Sequence, residues 1–222
     1  MINLLFAPPA LGTVLSLTGL PGGSNKIQDR SSYGNSGTMT GASWVKLPSG
    51  LWCLYFDGLD DHVEIAHHSS LDIVDCITIK FWVRFATLDT VQALFDKNWT
   101  PGWDIHLWSS NRANARFEIG GVAVECYAPA ANFTAVANTW YHWVVRYDGA
   151  NLKIFIDADE VDSDAASGAI STSSQNLRIG ERLSGTSDFN GDIALIEIAN
   201  RAWSVVEIQH SFDREKHLFG VW

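Results

Sequence analysis

The chain has 222 residues, 46% hydrophobic and 18% charged, which suits one large domain whose core needs no disulfide or metal staple. With 18 Gly and 12% aromatics it is neither a disordered segment nor a coiled coil nor a collagen-like fibre. Lys+Arg 15 against Asp+Glu 25 leave a formal charge of −10, a balance that repels phosphate backbones and argues against nucleic acid as a partner.

The opening MINLLFAPPALGTVLSLTGLPGG is apolar, but no Lys or Arg precedes it and Pro8, Pro9 and Pro21 interrupt it, so it does not read as a signal peptide. No run approaches a membrane span, so membrane insertion is not expected. Residues 1–28 are expected to form an arm, apolar over Leu4–Pro9, and a first strand over 12–17. A turn-rich stretch leads to a strand near 37–45, with Tyr33 and Trp44 expected to pack it down.

From Leu51 onward, short runs rich in β-branched and aromatic residues alternate with Gly, Asp, Asn and Ser, the pattern of an antiparallel all-β domain. Strands at 51–57 and 62–66 flank Asp57-Gly58-Leu59-Asp60-Asp61. In ITIKFWVRF, Ile77, Ile79, Phe81, Val83 and Phe85 share one face, and Thr78, Lys80, Trp82 and Arg84 the other, a period of two. The same reading gives strands at 103–108, 115–120, 122–127, 140–147, 152–157, 176–180 and 191–199. Asp148-Gly149 marks the hairpin between two of them. Asp157, Asp159, Glu160 and Asp162 read as a solvated acidic turn.

After Trp203, Ser204 stands three residues before Glu207, the spacing of a capping box, and predicts one short helix over 204–214 with Val206, Ile208 and Phe212 towards the core. Nothing divides the chain, and 1–222 is read as a single domain. Cys53, Cys76 and Cys126 lack CxxC spacing and are expected to be reduced thiols on strands.

DRSSYGNSGTMTGASW (29–44), LYFDGLDDHVEI (54–65), ITIKFWVRF (77–85), NTWYHWVVRYDGANLKIFIDADEV (138–161), LRIGER (177–182) and FNGDIALIEIANRAWSVVEI (189–208) follow one another in an order that resembles the laminin-G-like, concanavalin-A-like lectin/glucanase superfamily. The resemblance implies a jelly-roll sandwich of two antiparallel sheets with one short C-terminal helix. It also brings calcium into question as a cofactor, bound near the FDGxDD turn and by an Asp shortly after FNG. Asp57, Asp60 and Asp61 match the first part, whereas Ala194 replaces the expected ligand of the second. Calcium takes six to eight oxygens, so binding requires Asp192 or carbonyls to substitute; otherwise the segment is a plain Asp-Gly turn.

Catalysis finds little support. Glucanases of this fold carry E-x-D-x-x-E on one strand to separate nucleophile and acid; here Glu118 and Glu125 lie on different strands and Glu197 stands alone. His142 matches a position where the family carries a packed His, and no GxSxG elbow occurs. A lyase, which leaves little sequence signature, stays open.

Ten Trp exceed what one core needs, and sugars are bound by aromatic faces with polar groups alongside. Trp44, Trp82, Trp140, Trp143 and Trp203 fall at strand centres or family positions and are assigned to the core. KNWTPGWDIHLWSSNR (97–112) is the richest remaining stretch. Trp99 sits in its turn, and Asp104, His106 and Trp108 share a strand face, so with Asn111 and Arg112 they form the candidate ligand site. The leading expectation is a non-catalytic module that binds a glycan or cell-surface polysaccharide. The alternative is a structural or assembly protein, such as a phage decoration or tail-fibre component on a virion surface, in which the apolar arm holds a homo-oligomer together. A polysaccharide hydrolase or lyase comes third.

Overall fold

A computed structural model describes residues 9–18, 21 and 25–222; the apolar arm over Leu4–Pro9 therefore lies almost wholly outside the described residues. The described residues form two eight-stranded antiparallel sheets and one C-terminal helix, the expected jelly-roll sandwich. The strands are β1 (Thr13–Leu17), β2 (Lys26–Ile27), β3 (Gly37–Thr40), β4 (Ser43–Lys46), β5 (Trp52–Asp57), β6 (His62–Ile65), β7 (Ile77–Phe85) and β8 (Gln92–Asp96). They continue as β9 (Trp103–Leu107), β10 (Ala113–Ile119), β11 (Val122–Tyr127), β12 (Trp140–Tyr147), β13 (Asn151–Ile156), β14 (Asp159–Ala165), β15 (Leu177–Ile179) and β16 (Asn190–Ala199). The first sheet runs β14-β13-β12-β7-β16-β5-β4, with β1 also on β16, and the second runs β11-β10-β9-β8-β15-β6-β3-β2.

The period of two holds. Ile77, Ile79, Phe81, Val83 and Phe85 enter the core between the sheets with Trp143, Tyr147, Trp103 and Phe117. Asp148 Oδ1 accepts the amides of Ala150 and Asn151 at 3.1 and 2.8 Å, closing the expected β12–β13 hairpin. Trp82, Trp140, Trp143 and Trp203 are buried and Trp44 packs partly buried on the core, whereas Tyr33 is exposed. Of the predicted acidic turn, Asp157 lies in the turn between β13 and β14, while Asp159, Glu160 and Asp162 lie on the edge strand β14, and 37–45 divides at Gly41 into β3 and β4.

Helix α1 (Val205–Glu215) has the predicted capping box, with Ser204 Oγ accepting from Glu207 N at 3.2 Å and Glu207 Oε2 accepting from Ser204 N at 2.8 Å. Its buried side is Ile208, Ser211 and Glu215 with Phe212 partly buried, while Val206 points to solvent. This face covers the outer side of the first sheet. Lys80 Nζ donates to both Glu215 oxygens at 3.0 Å and to Leu195 O at 3.2 Å, and Trp82 Nε1 donates to Glu215 Oε2 at 2.8 Å. Leu195 lies at a bulge in β16 with φ +49°, which frees its carbonyl for the ammonium. Burial disfavours the Glu215 charge, but Lys80, His142 and the Trp82 donor together hold its carboxyl below the ordinary range.

Removing one member of a buried pair strands the other, at a cost of about 3–5 kcal/mol. Glu215→Gln and Lys80→Met should each destabilise by roughly that amount in denaturant melts. Lys80→Met with Glu215→Leu should cost less than either alone, because no charge is left unpaired.

Beside this pair, His142 is pushed down to about 3 by burial and by the Lys80 charge. Asp157, whose Oδ1 accepts His142 N at 2.8 Å, is raised to about 6 by burial. As pH falls below the ordinary histidine value the unfolded state alone protonates His142, so stability drops; as pH falls through 6 the folded state alone protonates Asp157, so stability rises. Between about pH 4 and 6 the two slopes oppose each other. In Asp157→Asn the opposing aspartate slope is gone, and chemical denaturation should show stability rising with pH more steeply over this range than in the wild type.

Candidate functional site

With one outer face covered by α1, the exposed architecture of interest is the outer face of the second sheet. Cross-strand pairing aligns Glu64, Arg178, Asp96, Asp104, Arg116 and Glu125 in one row, since directly paired residues share a face. The next row carries His106, Asn114 and Tyr127. Trp103, Ile105, Leu107 and Phe117 alternate inward to the core.

Asp104 is the hub of this face. One of its oxygens contacts His106 Nδ1 and the other accepts from Arg182 Nε at 3.4 Å. Asp96 accepts the amides of Asn98 and Leu183, both at 2.8 Å, and so roots two loops: the Trp99 turn and the loop that carries Arg182. Burial pushes the Asp96 carboxyl up while these two amides pull it back. Lys97 anchors the same turn from inside, its ammonium donating to Ser173 O at 2.7 Å and Gln175 O at 2.5 Å.

Trp99 lies over this network. The guanidinium carbons of Arg116 and Arg182 are 4.4 and 4.6 Å from its ring centre, and Arg116 also donates to Trp99 O and, at 3.3 Å, to Thr100 Oγ1. Trp99 is 40% exposed, whereas Asp104, His106 and Asn114 beneath it have no exposure. Trp108 meets the His106 ring edge-on at 4.8 Å, Tyr127 lies 6.3 Å from Trp108, and Arg112 stacks on Tyr127 at 3.6 Å.

The sequence-derived set is thus partly reunited. Trp99, Asp104, His106 and Trp108 form one constellation, with Asp104 and His106 as its floor instead of its surface. Arg112 borders it through Tyr127. Asn111 does not project into it: this residue exchanges hydrogen bonds with Asp89, amide to carboxylate and Asp89 N to Asn111 Oδ1, both at 2.8 Å. Sequence reading missed Arg116, Asn114, Tyr127, Asp96 and Arg182. The period of two in β10 and β11 carries a signal for the first three, and nothing local marks Arg182.

Asp57, Asp60 and Asp61 bring carboxylate oxygens within 4.8 Å of one another, but the arrangement does not fit a calcium shell. Asp57 Oδ1 accepts Leu59 N at 2.9 Å and Asp61 Oδ2 accepts Asp57 N at 2.8 Å. Asp61 Oδ1 fills the space where a Cβ on Gly41 would stand. Asn190, not Ala194, faces this turn, through Asn190 Nδ2 to Asp57 O at 2.9 Å. Ala194 lies about 13 Å further along the strand and packs in the cluster of Trp82 and Trp140. Asp192 is held by Arg84 at 2.8 and 2.9 Å. The Asp57–Asp61 segment works as a hydrogen-bonded turn, and millimolar calcium or a chelator should leave the thermal midpoint unchanged in scanning fluorimetry.

The model of the concanavalin A-like lectin/glucanase superfamily matches residues 56–209, more than two thirds of the chain, and the chain belongs to that superfamily. Among solved structures it is similar to the binding domain of Paraclostridial Mosquitocidal Protein 1, with 17% identity and TM-score 0.77 over 95% of this chain and 55% of that one. It also resembles the receptor binding domain of botulinum neurotoxin D, at 12% identity and TM-score 0.72 over 92% and 53% of the two chains. The binding domain of botulinum neurotoxin DC, solved in complex with SialylT, is similar at 14% identity and TM-score 0.68 over 91% and 51%. At these identities the likeness establishes the fold, and this chain spans about half the length of those chains. No curated protein sequence matches it. No helix among the described residues is long and apolar enough to cross a membrane.

Proposed function

We propose that this protein is a non-catalytic recognition module that binds a glycan on the outer face of its second sheet, at Trp99, Trp108 and Tyr127. The observation that carries the reading is the half-exposed Trp99 indole, fixed over a buried polar network by Arg116 and Arg182. An exposed ring held in place offers a sugar its apolar C–H face without a large ordering cost. Similar structures, the binding domain of botulinum neurotoxin DC in complex with SialylT or with rat synaptotagmin II, support recognition as the class of function. The carboxylates of this face are engaged in holding loops and cations, which supports binding over hydrolysis.

Trp99→Ala should weaken glycan binding about tenfold or more in calorimetry, as loss of roughly 1–2 kcal/mol of ring contact requires. The thermal midpoint should barely move, since a half-exposed ring contributes little to the core. Unchanged affinity would remove this face from consideration.

A second reading, assembly, draws on a different place. Leu11, Val205 and Val206 are exposed near Arg201, which bonds Leu11 O at 2.9 Å, and exposed apolar groups in proximity mark contacts. If this reading is right, deletion of residues 1–9 should dissolve an oligomer in light scattering; a monomeric full-length protein would end it.

A further inference from the structure

Between helix α1 and the outer face of the first sheet lies a cavity of about 290 Å³, near the lower end of the size range of small-molecule sites. Cross-strand register sets its floor. Ser16 on β1 pairs with Glu197 on β16, and Glu197 pairs with Lys80 on β7, so the three side chains stand in one row. Their neighbours Leu15, Ile196 and Ile198 alternate into the core. Helix α1 closes the row from above with Ser211 and Glu215, and Trp203 and Leu218 supply apolar walls. Trp203 Nε1 is itself enclosed, so that wall presents ring carbon.

The ionic groups around this space are paired unequally. Lys80 and Arg214 both meet Glu215, at 3.0 and 3.2 Å, and Arg201 meets Glu207 at 2.7 Å. The three protons of Lys80 are spent on Glu215 and on Leu195 O, so its ammonium does not turn to Glu197. Among the described residues no cation pairs with Glu197: Thr13 Oγ1 donates to its Oε1 at 2.5 Å, and Oε2 receives nothing. The hydroxyls of Ser16 and Thr18, both on the cavity, make no hydrogen bond either, and none of these three oxygens is sealed from solvent. The cavity therefore offers one uncompensated carboxylate oxygen with hydroxyl acceptors beside it, and such a carboxylate gains most from a charged donor.

We infer that the cavity binds a small primary amine, whose ammonium donates to Glu197 Oε2 and Ser16 Oγ and whose short apolar stem lies against Trp203 and Leu218. The alternatives fit less well. A calcium ion takes six to eight oxygens, and one carboxylate oxygen with two hydroxyls falls short of that in a space much larger than an ion. A guanidinium prefers both oxygens of a carboxylate, and Thr13 occupies one. A quaternary ammonium has no N–H for Ser16 and is held by several aromatic faces, of which this cavity has one. An anion meets Glu197 with like charge and finds Lys80, Arg201 and Arg214 already paired. The formal charge of −10 on the chain also draws cations towards it. This site lies on the sheet opposite Trp99 and stands apart from the glycan reading.

The test titrates the full chain at pH 7.5 and 150 mM salt with n-butylamine, butylguanidinium, 1-butanol and butyrate, followed by NMR. The expected order has butylamine at least tenfold tighter than the alcohol and butyrate and tighter than butylguanidinium. Glu197→Gln, which keeps the shape of the side chain, should weaken butylamine tenfold or more, and Trp99→Ala should leave it unchanged. Because any variant at 197 disturbs the Thr13 contact, the wild-type Glu197 carboxyl carbon resonance supplies a second readout: it should move with butylamine and not with 1-butanol. An alcohol, anion or guanidinium that binds as well as the amine overturns the inference. So does amine binding that survives Glu197→Gln, or a carboxyl resonance unmoved at saturating amine. Binding that appears only after deletion of residues 1–8 overturns it as well, since the chain itself would then fill the space.

Discussion

The pairing of Lys80 with Glu215 decides which parts of this sandwich are open to a ligand. An eight-stranded sheet packed on another has an outer face that must be covered or made polar. In the first sheet that face carries a lysine, a tryptophan and a histidine, Lys80, Trp82 and His142, a combination that no aqueous surface requires. Glu215 answers the lysine and the indole N–H together, Ser211 answers His142 Nε2 at 3.2 Å, and Phe219 stacks on Trp82 at 4.1 Å. The helix is therefore part of the sheet's own packing and not a detachable appendage. Its presence there leaves the second sheet as the outer face available for recognition.

That second face is organised on a different principle. Its charges are arranged in a row across the strands, and each is compensated sideways by a neighbour: Arg178 by Glu64 and Glu181 at 3.1 and 2.8 Å, Asp104 by His106 and Arg182. Asp96 then ties the two overlying loops to one strand end, so Trp99 and Arg182 are registered against each other although 83 positions separate them in sequence. Lys97 adds a third loop through the Ser173 and Gln175 carbonyls. A surface made of loops gains its rigidity from such buried polar roots, because a carboxylate bonded to two amides constrains both segments at once.

What the sequence disclosed and what it concealed have separate physical causes. The strands were legible wherever one face was apolar and the other polar, as in 77–85 and 140–147, and the helix start was legible because Ser204 and Glu207 satisfy each other locally. The buried stripe of the helix was misread because two of its members, Ser211 and Glu215, are polar and earn their burial only from His142 and Lys80, more than 60 residues away. β14 was hidden by its acidic residues, which on an edge strand discourage pairing with other chains and in sequence imitate a loop. In the site, Trp99, Asp104, His106 and Trp108 could be gathered because they lie within one turn and strand. Arg182 could not, since only the β8–β15 pairing brings it there, and no local pattern encodes that neighbour. The calcium question turns on register: counting from the FNG tripeptide singles out Ala194, while the residue that faces the Asp57 turn is Asn190.

Each face also buries polar atoms without a protein partner, His142 Nδ1, Arg146 Nε and Trp203 Nε1 on the first and His106 Nε2, Asn114 Oδ1 and Arg182 Nη2 on the second. All three donors of Lys80 find acceptors, although a cavity of about 290 Å³ bordered by Lys80, Glu197, Ser211 and Glu215 lies between the helix and the first sheet. Each unpartnered atom costs about 1–3 kcal/mol in a molecule whose whole stability is expected to be about 5–15 kcal/mol. Beside two indoles the low local dielectric strengthens whatever hydrogen bonds these groups make. Under the proposed recognition reading, folding free energy withheld in such unpaired groups would be recovered by a ligand of matching hydrogen-bond pattern.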